Sequence, residues 1–277
     1  MSKKYGKKQV LDNLTLNIDK GINLILGNNG AGKSTLISIM EGLTKRNSGS
    51  INVADYDPAS NSKKVMERVC FIPEMPVLFG TDKIHDFLYL HSKINGYTKE
   101  NLNYYLDIFG VRNLIHSYFR ALSMGEMELI MDVAALSAQK EFYVLDEPNS
   151  NIDTHNRSLL VNEIRRMNIK NNSSFLIVTH IMDSVLPVSN NIYFLENGKI
   201  KYSVKTKHAL RDSKKLSIKI RSLLPENIEK ALTILNPETN GSEIIIRSNS
   251  LDKVITLLQK DDLKSITNIE ISMGDYK

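Results

Sequence analysis

Eight residues near the start of the chain have the types and the spacing needed to bind a polyphosphate. They match the pattern G-x-x-x-x-G-K-S/T and are Gly27, Asn28, Asn29, Gly30, Ala31, Gly32, Lys33 and Ser34. Glycine lets the backbone wrap closely round phosphate oxygens, and the N–H groups that begin the following helix point at them. The ammonium group of Lys33 adds positive charge, Ser34 offers a hydroxyl to Mg²⁺, and Thr35 would contact the α-phosphate side. A chance glycine-rich turn is the simpler interpretation, but a predicted strand precedes the loop and a predicted helix follows it.

Two carboxylates follow a second apolar segment. Residues 142–145 are predicted to form a buried strand, and Asp146 and Glu147 come directly after it. Asp146 at the strand tip can hold Mg²⁺ through water, and Glu147 is placed to polarise an attacking water molecule. The simpler interpretation is a pair of solvated acids in a turn. The phosphate-binding loop favours the catalytic interpretation.

The elements that must position these residues alternate between strand and helix over the first part of the chain. Strands are predicted at 14–18, 22–26, 51–54, 69–72, 142–145 and 174–178, and helices at 33–43, 129–138 and 158–167. A hairpin is predicted between 192–195 and 199–202, around Asn197 and Gly198. Strands separated by helices indicate a largely parallel α/β sheet.

Two further regions have a different pattern. Residues 81–120 show helical spacing and no strong strand signal, which predicts a helical insertion. After about Lys205 the pattern restarts, with strands predicted at 216–220, 243–247 and 266–271 and helices at 226–235 and 251–259. This βαβαβ order predicts a small α+β appendage.

Composition excludes several classes of protein. The net charge is +5, but positive and negative residues are mixed along the chain, so a solvated surface is favoured over a nucleic-acid interface. The single cysteine, Cys70, excludes an intrachain disulfide and fits a reducing compartment. No apolar run is long enough to span a membrane, and the basic N-terminus is followed by no apolar stretch of a secretory signal. Any membrane-spanning part would therefore belong to another chain.

Four short segments occur in the order and approximate spacing found in one family. They are Gly27 to Ser34, Leu122-Ser123-Met124-Gly125-Glu126, Asp146-Glu147-Pro148 and Thr179-His180. Residues 1–204 thereby resemble ATP-binding cassette (ABC) ATPases, and the serine–glycine segment distinguishes them from kinases and GTPases with a similar loop. The resemblance implies a P-loop α/β fold with an antiparallel β subdomain and a helical subdomain at about 76–138. A small accessory domain at 205–277 would follow.

In this family two ATPase domains pack head to tail around ATP and Mg²⁺. The resemblance implies that Ser123, Gly125 and Glu126 contact the partner's ATP and that His180 contacts the γ-phosphate. It also implies that Asp153 lies in a loop that communicates across the dimer. Ser123 and Asp153 have a simpler interpretation as helix N-caps, and for Asp153 both roles can hold together.

The resemblance assigns further contacts to the nucleotide and its metal. Tyr5 lies where the family places an aromatic ring that stacks on adenine, although a loose N-terminal tyrosine is the simpler interpretation. Glu74, together with Ser34 and Asp146, would bind Mg²⁺.

The chain departs from the family pattern at three of these positions. Glu74 replaces a glutamine, Met124 replaces a glycine and Glu126 replaces a second glutamine. Gly125 remains, so nucleotide binding is expected, and slow turnover is a possible consequence of the altered segment.

The sequence therefore predicts the ATPase subunit of a membrane transporter, with Lys33, Glu147 and His180 as catalytic residues and with ATP and Mg²⁺ as cofactors. Its partners would be a separate transmembrane permease, docked on residues 81–120 and the Glu74 loop, and a second ATPase chain, identical or different. The complex would lie at the cytoplasmic face of the membrane. By resemblance, export of a peptide, drug or lipid is favoured over import. Two alternatives stay open, a soluble ABC ATPase and a weakly hydrolysing regulatory partner in a heterodimer; no basic patch with interleaved aromatic residues supports nucleic-acid binding.

Overall fold

The computed structural model describes residues 1–74, 82–148, 151–179, 185–205, 216–222, 237–240, 243–248 and 266–273. The chain begins with an antiparallel pair of strands, β1 (Lys3–Tyr5) and β2 (Lys8–Leu11). The central sheet consists of β3 (Ile22–Leu26), β4 (Val69–Ile72), β5 (Phe142–Asp146), β6 (Ser174–Thr179), β7 (Asn191–Glu196) and β8 (Lys199–Lys205). Its order is β4-β5-β6-β3-β7-β8, in which β8 alone is antiparallel to its neighbour.

The helices surround this sheet. They are α1 (Lys33–Met40), α2 (Pro58–Arg68), α3 (Ile84–Asn95), α4 (Lys99–Ile108), α5 (Met124–Ser137) and α6 (Thr154–Asn171), with short 3₁₀ turns at Arg112–Leu114, Phe119–Ala121 and Leu186–Val188. In the part of the chain that the structure describes, none of these helices combines the length and the apolarity needed to cross a membrane.

The central strands are apolar on both faces because both faces are covered. Every residue of β3 and β6 is buried. Alternate residues point to opposite sides, so Leu24 belongs to the core cluster that contains Ile130 of α5 and Ile164 of α6, whereas Ile25 belongs to the cluster that contains Leu36 of α1. The result is a three-layer core, and because β3, β4, β5 and β6 are parallel, their carboxyl ends lie at one edge of the sheet.

Two predicted strands are wrong. Residues 14–18 form no strand, and 51–54 contribute only an isolated bridge between Val53 and Tyr56. Leu14 and Val53 are nevertheless buried. The alternating pattern correctly reports which side chains face the core, but a strand also needs a neighbouring backbone to pair with, and alternation carries no information about that neighbour.

The helices predicted at 33–43, 129–138 and 158–167 are present, with different ends. α1 stops at Met40, α5 begins at Met124, and α6 extends from Thr154 to Asn171. Helix α2 was not predicted, although Asp57 caps it and Pro58 stands at its first position, which is a typical start signal.

A second sheet follows the first along the chain. Its strands are β9 (Leu216–Ser222), β10 (Glu238–Asn240), β11 (Glu243–Ser248) and β12 (Ile266–Met273), arranged β10-β11-β9-β12 and antiparallel at every pairing. The three predicted strands are confirmed, and β10 is an addition that is too short and too exposed to show a pattern. The helices predicted at 226–235 and 251–259 lie outside the described residues.

Candidate active site

The predicted phosphate-binding loop lies between β3 and α1 and leads into an uncapped helix. Gly32 is the N-cap of α1 with a φ of 109°, and no side chain caps the helix there. At Gly27 a Cβ atom would lie 2.5 Å from the carbonyl oxygen of Leu195, so only glycine fits. Because the first N–H groups of a helix have no intrahelical acceptor, those of α1 are available to phosphate oxygens.

The side chain of Lys33 connects this loop to the end of β5. It is 7% exposed, and its Nζ donates to the carbonyl oxygen of Gly27 at 2.6 Å and lies 3.6 Å from Oε1 of Glu147. The structure therefore brings the cation of the loop and the predicted water-polarising carboxylate together, although they lie 114 positions apart in the sequence (147 − 33).

The carboxylates of Asp146 and Glu147 are both buried, at 8% and 6% exposure. Burial, and then the neighbouring charges of Glu147 and Glu74, raise the pKa of Asp146 to about 6, while Lys33 opposes the increase. Glu147 has a φ of 50°, which is uncommon for a residue with a side chain, and its N–H donates to Val178 of β6 at 2.7 Å. The turn after β5 thus holds Glu147 in a defined, strained conformation beside Lys33.

Oxygen ligands for a divalent cation come from the predicted residues Ser34, Glu74 and Asp146. Ser34 and Glu74 are exposed, and Glu74 is close enough to Asp146 to affect its pKa. Across the described ranges, no three His, Cys, Asp or Glu side chains form an all-protein metal site. Mg²⁺ typically keeps several waters and binds one or two carboxylates together with substrate phosphates. The donor set therefore fits Mg²⁺ that arrives with a nucleotide.

The serine–glycine segment forms the start of α5. Ser123 is the N-cap, and Ser123 and Glu126 form a reciprocal capping box. Oε2 of Glu126 accepts from the N–H of Ser123 at 2.9 Å and from its hydroxyl at 2.8 Å. Met124, which replaces a glycine of the family pattern, is 47% exposed at the first helical position. The N-cap interpretation of Ser123 is therefore confirmed, and its contact with a partner's nucleotide stays a prediction.

The first turn of α5 is also fixed to the loop that precedes α6. A Cβ atom at Gly125 would lie 2.8 Å from the carbonyl oxygen of Asn151, and the N–H of Asn151 donates to Oε2 of Glu128 at 2.9 Å. Gly125 is thus needed for close approach of two backbones, which is a structural reason for this glycine besides nucleotide binding.

Asp153 caps α6. Its Oδ1 accepts from the N–H groups of His155 and Asn156 at 2.8 and 3.1 Å, and these contacts, together with one from the Asn156 side chain, lower the pKa of Asp153. The N-cap role is confirmed. Its predicted role in communication across a dimer remains a prediction.

Tyr5 ends β1 with half of its surface exposed. The ammonium group of Lys3 lies 4.7 Å from the centre of the Tyr5 ring and also donates to the carbonyl oxygen of Lys45 at 2.7 Å. The ring is therefore held on the surface and is not a loose N-terminal group. Stacking on adenine is compatible with this exposure and stays a prediction.

His180 was predicted as a site residue but lies outside the described residues. In the sequence it directly follows Thr179, the last residue of β6. Its contact with the terminal phosphate stays a prediction.

Asp132 of α5 is a buried acid near the site that was not predicted, because it lies in an apolar stretch that indicates a helix. It is 1% exposed, its Oδ2 has no hydrogen-bond partner within the described structure, and burial and Glu128 raise its pKa well above the usual range. Asp132 lines a cavity of about 20 Å³ together with Glu74 and Asp146, and a lone acid inside an apolar helix was the available signal.

Comparison with known proteins identifies relatives of this chain. Residues 11–150 match the family model described as ABC transporter. The phosphonates import ATP-binding protein PhnC of Fusobacterium nucleatum is 30% identical over 76% of this chain and 92% of its own length. The bacitracin transport ATP-binding protein BcrA of Bacillus licheniformis is 26% identical over 100% of this chain and 94% of its own length. A dimeric post-hydrolysis structure of the ATP-binding cassette MJ0796 with ADP and Pi has a TM-score of 0.66 at 19% identity, covering 76% of this chain and 96% of that one.

Proposed function

Because the chain belongs to the ABC transporter family, as one of its ATP-binding and ATP-hydrolysing cassettes, we propose that it powers a separate membrane-spanning subunit by closing and reopening a head-to-tail dimer around Mg-ATP. One observation carries the proposal. Lys33, held by the phosphate-binding loop, lies 3.6 Å from the carboxylate of Glu147. The side chain proposed to bind phosphate and the side chain proposed to activate water are therefore neighbours. The dimeric arrangement of the structural relative supports the same assembly here.

In this proposal the loop at 27–34 and Lys33 bind the phosphates. Glu147 orients and polarises the attacking water, and His180 and the partner copy's serine–glycine segment stabilise the terminal phosphate. Ser34, Asp146 and Glu74 would hold Mg²⁺, which would supply positive charge beside the phosphate oxygens. This is catalysis by positioning and charge stabilisation, with little covalent chemistry for the protein to perform.

The proposed docking surface for the membrane subunit is an exposed apolar stripe on α3. Leu90 and Ile94 are 61% and 65% exposed and, four residues apart, form this stripe; Tyr89, 54% exposed, lies beside it, while Ile84 and Leu88 of the same helix are buried in the core. Large exposed apolar side chains that lie close together indicate contact with another protein. The permease would hold the complex at the cytoplasmic side of the membrane.

The direction of transport is proposed to be export. One relative that matches 100% of the chain is named for bacitracin transport and another, matching 72%, for linearmycin resistance, while relatives named for phosphonate and methionine import match 76% and 89%. The names of the first two relatives support the proposal of an exporter of a peptide, drug or lipid. Residues 205–277 are proposed to form an accessory domain of their own, built on the sheet of β9 to β12.

Co-expression of this chain with its membrane-spanning permease subunit tests the proposed function. The account predicts that the two proteins co-purify and that the membrane subunit raises the rate of Mg-ATP hydrolysis. Two proteins that never co-purify would contradict the transporter. RNA-stimulated hydrolysis without any permease would instead indicate a soluble ATPase, and ATP binding without hydrolysis would indicate a regulatory partner in a heterodimer.

A further inference from the structure

The carboxylate of Glu126 accepts both hydrogen bonds that Ser123, at the start of α5, would otherwise offer to a phosphate. Its Oε2 accepts from both the N–H and the hydroxyl of Ser123, at 2.9 and 2.8 Å, and Ser123 Oγ accepts from the N–H of Glu126 at 3.3 Å. A serine hydroxyl has a single proton to donate. Ser123 therefore cannot donate that proton to a phosphate oxygen while it donates to Glu126.

The charge of Glu126 acts in the same direction. The hydrogen bonds from Ser123 lower the pKa of this carboxyl, so it is ionised at neutral pH. The sequence of α5 contains a further acid near this end, Glu128, and no Lys, Arg or His that could offset the charge of Glu126. A helix N-terminus attracts anions, but here its own carboxylate already lies there, and a second anion at the same place meets like-charge repulsion.

We propose that Glu126 is an electrostatic gate on the ATP-dependent dimer, and that its carboxylate must release the Ser123 donors before the terminal phosphate of a partner's ATP can bind at the start of α5. The inference rests on the head-to-tail dimer of the proposed function. In the separate chain the capping box satisfies the helix end, and in the dimer the phosphate replaces the carboxylate. Dimer closure is consequently weaker than the backbone geometry alone would allow.

The test compares two chains that carry Glu147→Gln, one of them with Glu126→Gln in addition. Glutamine at this position can still complete the capping box but has no charge. The fraction of dimer is measured by light scattering against the concentration of Mg-ATP. Removing one like-charge interaction predicts a midpoint at about tenfold lower ATP. Glu100→Gln is the matched control, since it removes an acid from the first turn of α4 and leaves α5 intact.

The outcomes distinguish a failure of the proposed gate from a failure of the proposed dimer. Unchanged or weaker dimerisation after Glu126→Gln, in a parent chain that dimerises, is what a purely structural cap predicts, and it would overturn the gate. A parent chain that binds ATP and stays monomeric at saturation would overturn the head-to-tail dimer, and the gate with it. An equal gain from Glu100→Gln would assign the effect to net charge and would also overturn the gate.

Discussion

The carboxyl group of Asp146 lies in a buried site beside two other acids, and this environment raises its pKa to about 6. A raised pKa means that the folded protein holds the proton more tightly than the unfolded chain does. Ionised Asp146 therefore destabilises the nucleotide-free fold, and this loss grows as the pH rises from about 4 to about 6 and is constant above that range. An acid that is kept at a cost to stability is typical of a group required for chemistry.

Replacing Asp146 by asparagine is therefore expected to stabilise the nucleotide-free protein. Allowing for partial solvent screening, the free energy of unfolding at pH 7.5 should rise by about 1–2 kcal/mol, with a smaller gain at pH 5. Urea unfolding in the presence of a chelator measures both values. Asp86→Asn, at an exposed acid of α3, serves as the control and should change neither. Equal stability of wild type and Asp146→Asn at pH 7.5 would contradict the cause assigned to this pKa.

Tyr5 offers a second prediction at the level of a single residue. If its exposed ring stacks on adenine, Tyr5→Ala should raise the KM for ATP about tenfold with little change in kcat, and Tyr5→Phe should retain the wild-type KM. Steady-state hydrolysis with the isolated chain measures both constants. Tyr89→Ala, at a comparably exposed tyrosine on α3, is the matched control. A KM that Tyr5→Ala leaves unchanged would remove the adenine contact.

The roles of Lys33, Asp146 and Glu147 could be predicted from the sequence, because the phosphate-binding pattern and the two acids after a buried strand are defined by residue type and spacing alone. The structure adds what spacing cannot give, namely the meeting of Lys33 with Glu147 and the different environments of the two acids. The internal bond from Ser123 to Glu126 could be read in the sequence as a capping box, a pattern of a capping residue followed three positions later by an acid. For Asp132 the local signal was an acid within the apolar stretch 129–138, but how deeply it is buried depends on packing between distant segments.

At the level of the elements, α3 carries a buried apolar face and an exposed apolar pair. Ile84 and Leu88 are buried in the core, whereas Leu90 and Ile94, one turn apart, are exposed to solvent. This exposed pair is the part of α3 at which the proposed docking of a permease can be tested without disturbing the core.

The double variant Leu90→Ser and Ile94→Ser should weaken binding to the permease. Hydrolysis by the isolated chain should stay at the wild-type rate, whereas stimulation by the permease and co-purification should both be lost. Ile169→Ser is the matched control, because Ile169 is 59% exposed on α6, outside the stripe. Full stimulation of the double variant would place the docking surface elsewhere.

Buried strands and long helices were predicted because their patterns are set by the core they face. The strands β3, β4, β5 and β6 were each recovered to within a residue at either end. Residues 14–18 show the limit of such reasoning. Their apolar side chains pack against the core as the alternation predicts, but their backbone pairs with no other strand. Helix α2 shows a different limit, because it is mostly exposed and its signal is a cap and a proline instead of a periodic apolar face.

At the level of the whole molecule, the candidate catalytic residues lie at one edge of the parallel sheet, and α5 connects that edge to the segment before α6. Lys33 begins the helix after β3, Glu74 follows β4 and Asp146 ends β5, and α5 is joined to the segment before α6 through Gly125 and the bond between Glu128 and Asn151. A phosphate bound at the start of α5 would therefore lie next to the segment that leads to Asp153, which is where the proposed communication across a dimer would begin.

The most direct test of the account is Mg-ATP hydrolysis by the purified wild-type chain beside Glu147→Gln, with the oligomeric state of both measured in ATP. The account predicts turnover by the wild type, loss of turnover in Glu147→Gln, and a dimer of the variant that persists while ATP is bound. Hydrolysis that survives Glu147→Gln, or a variant that binds ATP and remains monomeric, would contradict the claim that this chain is an ATP-closed motor with Glu147 at its catalytic centre.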